Sequence, residues 1–337
     1  MNTTVQSLLG QHFAFAHGRT GVLQQLLLTQ SDVDRLLGAS GGKEVEQILI
    51  ELKMTNNIDQ GIREGNAVLQ AVAAWMRTEV EKMTPVAKRP VFSILWLEGD
   101  APLLAYLLKT KKGLTAETSE EPISGMTAYN AADLRALVQE NVEGPLPGHL
   151  VSFVRNTLQG DEMDARSIDT QVAQYVAATS LALARTSGSR QILLYVRHSI
   201  DLQNIRTALR LTDEQSDISL AYLMSGGTIP SAELAGSREN TLRAIARSDL
   251  GYHLTPALLK SDDTNGLERT LSEISAADIA AMWNVPLSIE PVFAFAAIAI
   301  TQLKLLRMVL IGKRNGLSPQ DIKQALPPFL SAAHYLS

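Results

Sequence analysis

Apolar residues in this chain recur every three to four positions, which places them on one face of a helix. The pattern is seen in four segments that begin with Val22, Ile62, Leu103 and Ile205. Alternation of apolar and polar residues with a period of two is scarce, and its best example, residues 191–196, is too short to build a sheet. The sequence therefore predicts an all-α fold.

An apolar helix followed by a loop and a short capped helix is predicted four times. Ser31, Asn130 and Ser318 are the expected N-caps, because each offers a side-chain oxygen and is followed three positions later by an acidic residue. Pro230 and Pro319 suit the first helical position, where no amide hydrogen is missed. The four apolar helices are predicted at residues 13–28, 102–112, 201–211 and 293–313. This recurrence indicates a duplicated helical unit.

Segments rich in proline, glycine and serine divide the predicted helices. Residues 85–90 end a long amphipathic helix predicted over residues 58–83, residues 113–127 form a polar linker, and residues 187–189 form a turn. The resulting division of the chain is residues 1–84, 85–186 and 187–337.

Composition argues against several classes of protein. The net charge of the 337-residue chain is −5, which disfavours nucleic-acid binding, because that task usually needs a basic face. Cysteine is absent, so disulfides, thiolate metal sites and cysteine nucleophiles are excluded. The most apolar window, residues 292–311, is interrupted by Gln302, Lys304 and Arg307 before it reaches the length of a membrane span. We expect a buried core helix there, in a soluble chain without a secretory signal.

Candidate reactive groups do not converge in the sequence. None of the six histidines has the spacing of a metal motif. The glycine-rich residues 38–44 have the wrong spacing for a phosphate-binding loop, and Glu44 would repel phosphate. No Gly-x-Ser-x-Gly motif is present. We therefore expect no catalytic site, no cofactor and no metal.

Three segments, residues 195–210, 226–234 and 303–326, contain short motifs in a fixed order. The first has an acid-x-x-Asn-hydrophobic-basic helix, the second a Gly-x-Ile-Pro sequence, and the third an Arg…Gly-Lys…Gly-Leu sequence. The matching residues are Asp201, Asn204, Ile205 and Arg206, then Gly227, Ile229 and Pro230, then Arg307, Gly312, Lys313, Gly316 and Leu317. Together they resemble the C-subunit family of A/V-type rotary ATPases, whose member in eukaryotic vacuolar enzymes is known as the d subunit.

Two further helices look like altered copies of the acid-x-x-Asn helix. The segment 96–112 keeps Asp100 but has Leu103 in place of the asparagine. In the C-terminal helix, Gln302 and Leu305 stand where the family often has the acid and the asparagine. Residues 13–37 resemble the N-terminal segment of proteins in this family.

The resemblance implies an all-α protein of three similar helical domains in a pseudo-threefold, funnel-shaped arrangement. Its expected partners are the D and F subunits of the rotor shaft and the membrane c-ring of proteolipid subunits. The expected role is a non-catalytic component of the central stalk that couples ATP hydrolysis or synthesis to proton or sodium transport. Such a protein would be cytoplasmic and peripheral, on the cytoplasmic face of the membrane.

We expect interface residues at the charged ends of the repeated helices. The candidates are Arg19, Asp100, Asp201, Asn204, Arg206, Arg210, Arg307, Lys313 and Arg314. Solvation, a structural cap or an ion pair would also explain each of them, and Asp100 and Asp201 could both be N-caps.

Two other functions remain open from the residues alone. A helical adaptor or scaffold without a rotary role shares the all-α composition, although a regular repeat of ~34–47 residues is not seen. A cytosolic enzyme would need a concave cluster of titratable groups.

Overall fold

The computed structural model describes residues 3–115, 123–160, 163–214, 220–258 and 264–326. Within these ranges helices are the only extended regular elements, so the predicted all-α fold is confirmed. In chain order the α-helices are α1 (Thr3–Leu23), α2 (Gln30–Gly38), α3 (Gly42–Glu51), α4 (Gly65–Lys82), α5 (Ser93–Lys111), α6 (Ala131–Arg135), α7 (Gly148–Gln159), α8 (Ala165–Ser187), α9 (Arg190–Glu214), α10 (Ser231–Leu234), α11 (Arg238–Arg247), α12 (Gly251–Leu258), α13 (Thr264–Trp283), α14 (Glu290–Arg314) and α15 (Pro319–Ala325). Short 3-10 turns and one π-helical turn (Ala136–Glu140) connect some of them.

The chain divides into two compact units. Unit 1 comprises Met1–Leu95, Ile123–Met126 and Ala276–Ser337, and unit 2 comprises Trp96–Pro122 and Thr127–Ser275. Unit 1 therefore contains both ends of the described chain, and unit 2 is built mainly from its middle. The three-domain division and the pseudo-threefold arrangement stay predictions.

Helix α14 is the central helix of unit 1, where it packs against α1, α3, α4 and α15. It is apolar on all sides from Val292 to Ile300, and this stretch is buried. A helix that is apolar all round must be covered on every side, either by protein or by lipid. Within unit 1 the cover includes Phe92, whose ring stacks on Phe293 with 6.0 Å between centroids.

Two helical segments of the described chain are long and apolar enough to span a membrane, Val86–Lys111 and Glu290–Arg314. The fraction of the apolar window buried inside the protein is 61% for the first and 72% for the second. Packing against neighbouring helices thus accounts for much of their apolar character.

Unit 2 has two apolar clusters, each enclosed by several helices. One cluster joins α5 to α8 and includes Leu104, Leu134 and Ile168. The other joins α9 to α13 and includes Ile205 and Leu271. In both clusters a long helix, α5 or α9, contributes apolar residues from successive turns.

Several predicted helix boundaries were wrong. The helices expected over residues 13–28 and 102–112 are α1 (Thr3–Leu23) and α5 (Ser93–Lys111). The helix expected over residues 58–83 begins only at Gly65, because Glu64 caps it by accepting the Ala67 N–H at 2.7 Å. The helix expected over residues 201–211 is part of the C-terminal half of α9, which begins at Arg190 and is 25 residues long. Residues 191–196, which alternate, lie in the same helix, so local alternation did not produce a strand.

The predicted caps were mostly confirmed. Asn130 and Ser318 are N-caps, and Pro319 is the first residue of α15. Ser31 was a wrong assignment, because Thr29 is the N-cap of α2 and forms a reciprocal capping box with Asp32. Pro230 was also misplaced by one position: it is the N-cap residue of α10 and Ser231 is its first helical residue.

Candidate functional site

The acid-x-x-Asn motif and the Gly-x-Ile-Pro motif form one structural feature in unit 2. Asp201 lies in the middle of α9 and is fully buried. Its carboxylate accepts hydrogen bonds from the Thr228 N–H at 2.7 Å, the Thr228 hydroxyl at 2.6 Å and the Ile229 N–H at 3.1 Å. We call residues 224–230, which precede α10, the strap. Asp201 therefore fixes the strap to α9.

Two other motif residues strengthen this attachment. Asn204, one helical turn after Asp201, donates to the Met224 carbonyl and accepts from the Met224 N–H, both at 2.8 Å. Gly227 has to be glycine, because a Cβ at this position would overlap the Asp201 carboxylate. Arg197 donates to the Gly227 carbonyl at 2.8 Å. Both ends of the strap are thus hydrogen-bonded to α9.

The surroundings of Asp201 act on its acidity in opposite directions. Burial raises the pKa of the Asp201 carboxyl, because it disfavours the charged form. The hydrogen bonds from Thr228 and Ile229 and the nearby His198 oppose this rise. The net direction of the pKa is upward, which shows that desolvation is the largest effect on this group.

Asp100 makes a related contact on α5. It is buried and accepts hydrogen bonds from the Ala128 N–H at 2.8 Å and the Tyr129 N–H at 3.4 Å. These two amides directly precede Asn130, the N-cap of α6. A buried carboxylate in a long helix thus holds two consecutive amides before a short helix in both cases.

Gln302 makes the corresponding contact on α14, in unit 1. Its side chain is fully buried, accepts from the Leu28 N–H at 2.7 Å and donates to the Leu28 carbonyl at 3.5 Å. Leu28 directly precedes Thr29, the N-cap of α2. The positions of Asp100, Asp201 and Gln302 are spaced by 101 residues in each step. The change from acid to amide at Gln302 therefore keeps an acceptor for the backbone amide.

A second polar contact repeats on two of these helices. Lys313 is buried and donates to the Ala39 carbonyl at 2.7 Å, at the C-terminal end of α2. Lys111 donates to the Gln139 carbonyl at 2.8 Å, in the π-helical turn that follows α6. We call Asp100, Asp201 and Gln302 the anchor residues, because each bonds loop backbone to its long helix. Each lysine lies 11 residues after the anchor residue of its helix, Gln302 or Asp100. Both lysines satisfy helix-end carbonyls that lack intrahelical partners.

The Gly-Lys…Gly-Leu motif ends α14. Gly316 has φ +72°, and the N–H of Leu317 bonds the Gly312 carbonyl at 2.9 Å while the N–H of Gly316 bonds the Lys313 carbonyl at 3.3 Å. This pair of bonds is a Schellman C-cap. Gly312 also leaves room for Ile322 of α15, since a Cβ there would lie 2.8 Å from its Cγ1. The motif therefore has a clear structural role.

The other predicted interface residues lie nearer the surface. Arg206 forms an ion pair with Glu268 at 2.9 Å, and Arg210, one turn later, is exposed. Arg314 pairs with Glu46 and, at 2.8 Å, with Glu64. Arg307 is partly exposed on α14.

Arg19 is half-exposed and pairs with a buried carboxylate in unit 1. It contacts Glu79 at 2.6 Å, and Lys82 contacts the same carboxylate at 3.0 Å. Burial alone would raise the pKa of Glu79, but the hydrogen bonds and charges of Lys82 and Arg19 lower it below its usual value. In Glu64, the hydrogen bond from Arg314 is the main reason why the pKa is lowered.

The nine predicted interface residues thus fall into two groups. Asp100, Asp201, Asn204 and Lys313 are buried, bond to backbone groups and lie inside helices, so the two aspartates are not N-caps of their own helices. The five arginines are partly or fully accessible. Contact of any of the nine with a partner protein stays a prediction.

Sequence reasoning missed Arg197 and Lys111. The signal for Lys111 was present, because it follows Asp100 at the same distance as Lys313 follows Gln302. In the part of the chain that is described, no group of three or more His, Asp or Glu side chains is arranged to hold a metal ion.

Comparison with known proteins gives a family match over most of the chain. The sequence profile of the ATP synthase (C/AC39) subunit family matches residues 16–325. The chain belongs to this family. The match includes all three anchor positions, Asp100, Asp201 and Gln302, and both lysines that bond helix ends.

Two curated relatives are named as the C subunit of an A-type ATP synthase. The protein of Haloquadratum walsbyi is 29% identical over 323 residues, which cover 88% of this chain and 87% of the relative. The protein of Halorubrum lacusprofundi is 28% identical over 153 residues, which cover 43% of this chain and 44% of the relative. The chain is therefore similar to the C subunit of A/V-type ATP synthases, which is part of a multi-subunit assembly associated with a membrane.

Proposed function

We propose that this protein is a non-catalytic component of the central stalk of a V/A-type rotary ATPase. It would connect the D and F subunits of the rotor shaft to the membrane c-ring of proteolipid subunits and transmit torque between ATP chemistry and proton or sodium transport. The protein would be peripheral, on the cytoplasmic face of the membrane. The observation that carries the proposal is the family match over residues 16–325.

The internal contacts support a mechanical role. Torque is transmitted without loss only if the connecting body resists deformation, and densely packed interiors have low compressibility. In addition, the buried side chains of Asp100, Asp201 and Gln302 fix loop backbone to long helices. Loops are ordinarily the more mobile parts of a fold. These bonds therefore restrain the segments that would otherwise deform most easily under torque.

The accessible arginines are suited to partner binding. Arg206 and Arg210 lie one turn apart on α9, and neither is buried. Charges at the rim of an interface guide association and partner choice. We therefore propose that these two side chains contribute to the binding of another protein of the assembly.

The test is a binding experiment with purified partners. The full chain is mixed with a cognate D–F subcomplex, passed over a size-exclusion column and assayed for ATP turnover. Co-elution as one complex, with no nucleotide hydrolysis by the chain alone, is the expected result. Separate elution of two folded components, or turnover by the chain itself, contradicts the proposal and favours the helical adaptor or the enzyme.

A further inference from the structure

A buried histidine lies next to the strap in unit 2. His198 is on α9, one turn before Asp201, and is 7% exposed. Its Nε2 lies 3.8 Å from Oδ2 of Asp249, in the turn between α11 and α12. Asp249 itself is exposed, with 64% of its side chain accessible. A buried imidazole thus faces a carboxylate that has room to adjust its position.

The same carboxylate also approaches the strap. Oδ1 of Asp249 lies 3.5 Å from the Thr228 hydroxyl, which itself donates to Asp201 at 2.6 Å. A hydroxyl has one hydrogen, so while Thr228 donates to Asp201 it offers little to Asp249. The strap at Thr228 therefore lies between Asp201 on α9 and Asp249 on the neighbouring turn.

Among the described residues, two elements carry carboxylates that face His198. On its own helix it faces Asp201, and from the turn between α11 and α12 it faces Asp249. Arg197, the adjacent residue, directs its guanidinium to the Gly227 carbonyl. Two carboxylates near one imidazole favour the protonated ring, whereas burial favours the neutral ring.

We propose that His198 is the proton-sensing group of a latch that fastens the α11–α12 turn onto α9 as the pH falls. Protonated His198 donates from Nε2 to Asp249, and this ion pair closes the turn over Thr228. Neutral His198 leaves Asp249 facing solvent. The proton comes from water and returns to it, so the step needs no other reactant. The latch is independent of the proposed rotary role.

The direction of the pH effect follows from the pairing. Histidine normally titrates near pH ~6.5, in the range where small changes in its surroundings decide its charge. The protonated ring gains a partner in the folded protein, so the contribution of the latch is present at low pH and is lost as the pH rises through the pKa of His198.

The test is titration of His198 in the full chain. Histidine is labelled with ¹³C, the ring signal of His198 is assigned by its loss in His198→Gln, and its pKa is compared between the unmodified chain and Asp249→Asn. The expected result is a decrease in the pKa of His198 by about 0.5 unit in Asp249→Asn, the size expected for a partly exposed ion pair. Glu239→Gln, which removes an exposed carboxylate of α11, is the matched control and should leave the pKa of His198 unchanged.

A second measurement follows the strap itself. The amide of Thr228 should show a protection factor against hydrogen exchange that is several-fold higher at pH 5.5 than at pH 8, and this difference should be lost in Asp249→Asn. A pKa of His198 that is the same with Asp249 and with asparagine, or protection that does not depend on the pH in the unmodified chain, overturns the proposal. The comparison does not require the D and F proteins, so its outcome is separate from that of the binding experiment.

Discussion

Lys313 places its Nζ 2.7 Å from the carbonyl oxygen of Ala39, although 274 residues separate the two in the chain. Through this bond, a side chain near the C-terminal end of α14 pairs with the carbonyl of the C-cap residue of α2, within unit 1. Gln302 holds the start of the same short helix through Leu28. Unit 1 therefore depends on contacts between the two ends of the described chain.

Replacement of Lys313 by methionine should destabilise the protein. The change leaves the buried Ala39 carbonyl without this donor, at a cost of about 1–3 kcal/mol in the free energy of unfolding. Lys111→Met is the matched control, since Lys111 makes the same kind of bond but is exposed, and its loss should cost less than about 1 kcal/mol. Urea denaturation of both variants measures the difference, and equal effects would contradict this account.

Gln302→Leu should also destabilise the protein, because leucine has a similar volume but cannot accept the Leu28 N–H. The expected loss is about 1–3 kcal/mol, the cost of leaving a buried backbone group unpaired. Gln320→Leu, on the exposed face of α15, removes a similar side chain without a buried bond and serves as control. Thermal unfolding by circular dichroism compares the two; if Gln302→Leu is as stable as the control, the anchor role of Gln302 is wrong.

Gly227→Ala should weaken the hydrogen bonds that attach the strap to Asp201 of α9. The new Cβ would overlap the Asp201 carboxylate, so either the strap or Asp201 must move, at a cost of about 2 kcal/mol or more. Gly18→Ala on α1 is the control, because a Cβ there meets nothing within 4 Å and alanine favours a helix interior by about 0.5–1 kcal/mol. Hydrogen exchange at the amides of Thr228 and Ile229 should accelerate only in Gly227→Ala. Unchanged exchange there would show that the strap tolerates the methyl group.

The ion pairs of Glu79 should make stability depend on pH in the acidic range. Since its pKa in the folded protein is lowered, its contribution is present above the usual glutamate pKa and is lost as the pH falls through the lowered value. The difference in unfolding free energy between the unmodified chain and Glu79→Gln should therefore be about 1–3 kcal/mol at neutral pH and should shrink below pH ~4. Glu81→Gln, in a more exposed pair with Arg77, should show less than about 0.5 kcal/mol at either pH. A difference for Glu79→Gln that grows on acidification would reverse the assigned sign.

Charge reversal of Arg206 and Arg210 should weaken binding of the D–F subcomplex by about tenfold or more, as expected when rim charges become repulsive. Arg206 also pairs with Glu268, so a variant that exchanges these two residues keeps the ion pair and tests whether folding is preserved. Reversal of Arg243 and Arg247 on α11, which are also exposed, is the matched control. Isothermal titration calorimetry gives the affinities. Equal affinity for the reversed and unmodified chains would remove Arg206 and Arg210 from the interface.

Local features of the fold could be predicted from sequence because they depend on neighbouring residues. The spacing of apolar residues indicated the helices, and the caps at Asn130 and Ser318 were identified from their side-chain oxygens and the acidic residues that follow. Thr29 and Ser31 lie two residues apart and both have the hydroxyl group that an N-cap needs. The sequence analysis assigned the cap to Ser31, which was wrong. The capping box of Thr29 with Asp32 satisfies two amides at once, which decided the structure.

The roles of the motif residues were decided by tertiary structure. In the sequence, Asp201 and Lys313 are charged residues, and their charge alone predicts that they lie at exposed helix ends. In the fold both are buried, because backbone amides or carbonyls from distant segments replace the water that a charged or polar group would otherwise require. The sequence by itself determined that the chain is helical, two of the helix caps and the order of the motifs. Only the folded chain decided that Asp201 meets Thr228 and that Gln302 meets Leu28, since such pairings depend on how helices pack over long separations and no periodicity along the chain encodes them.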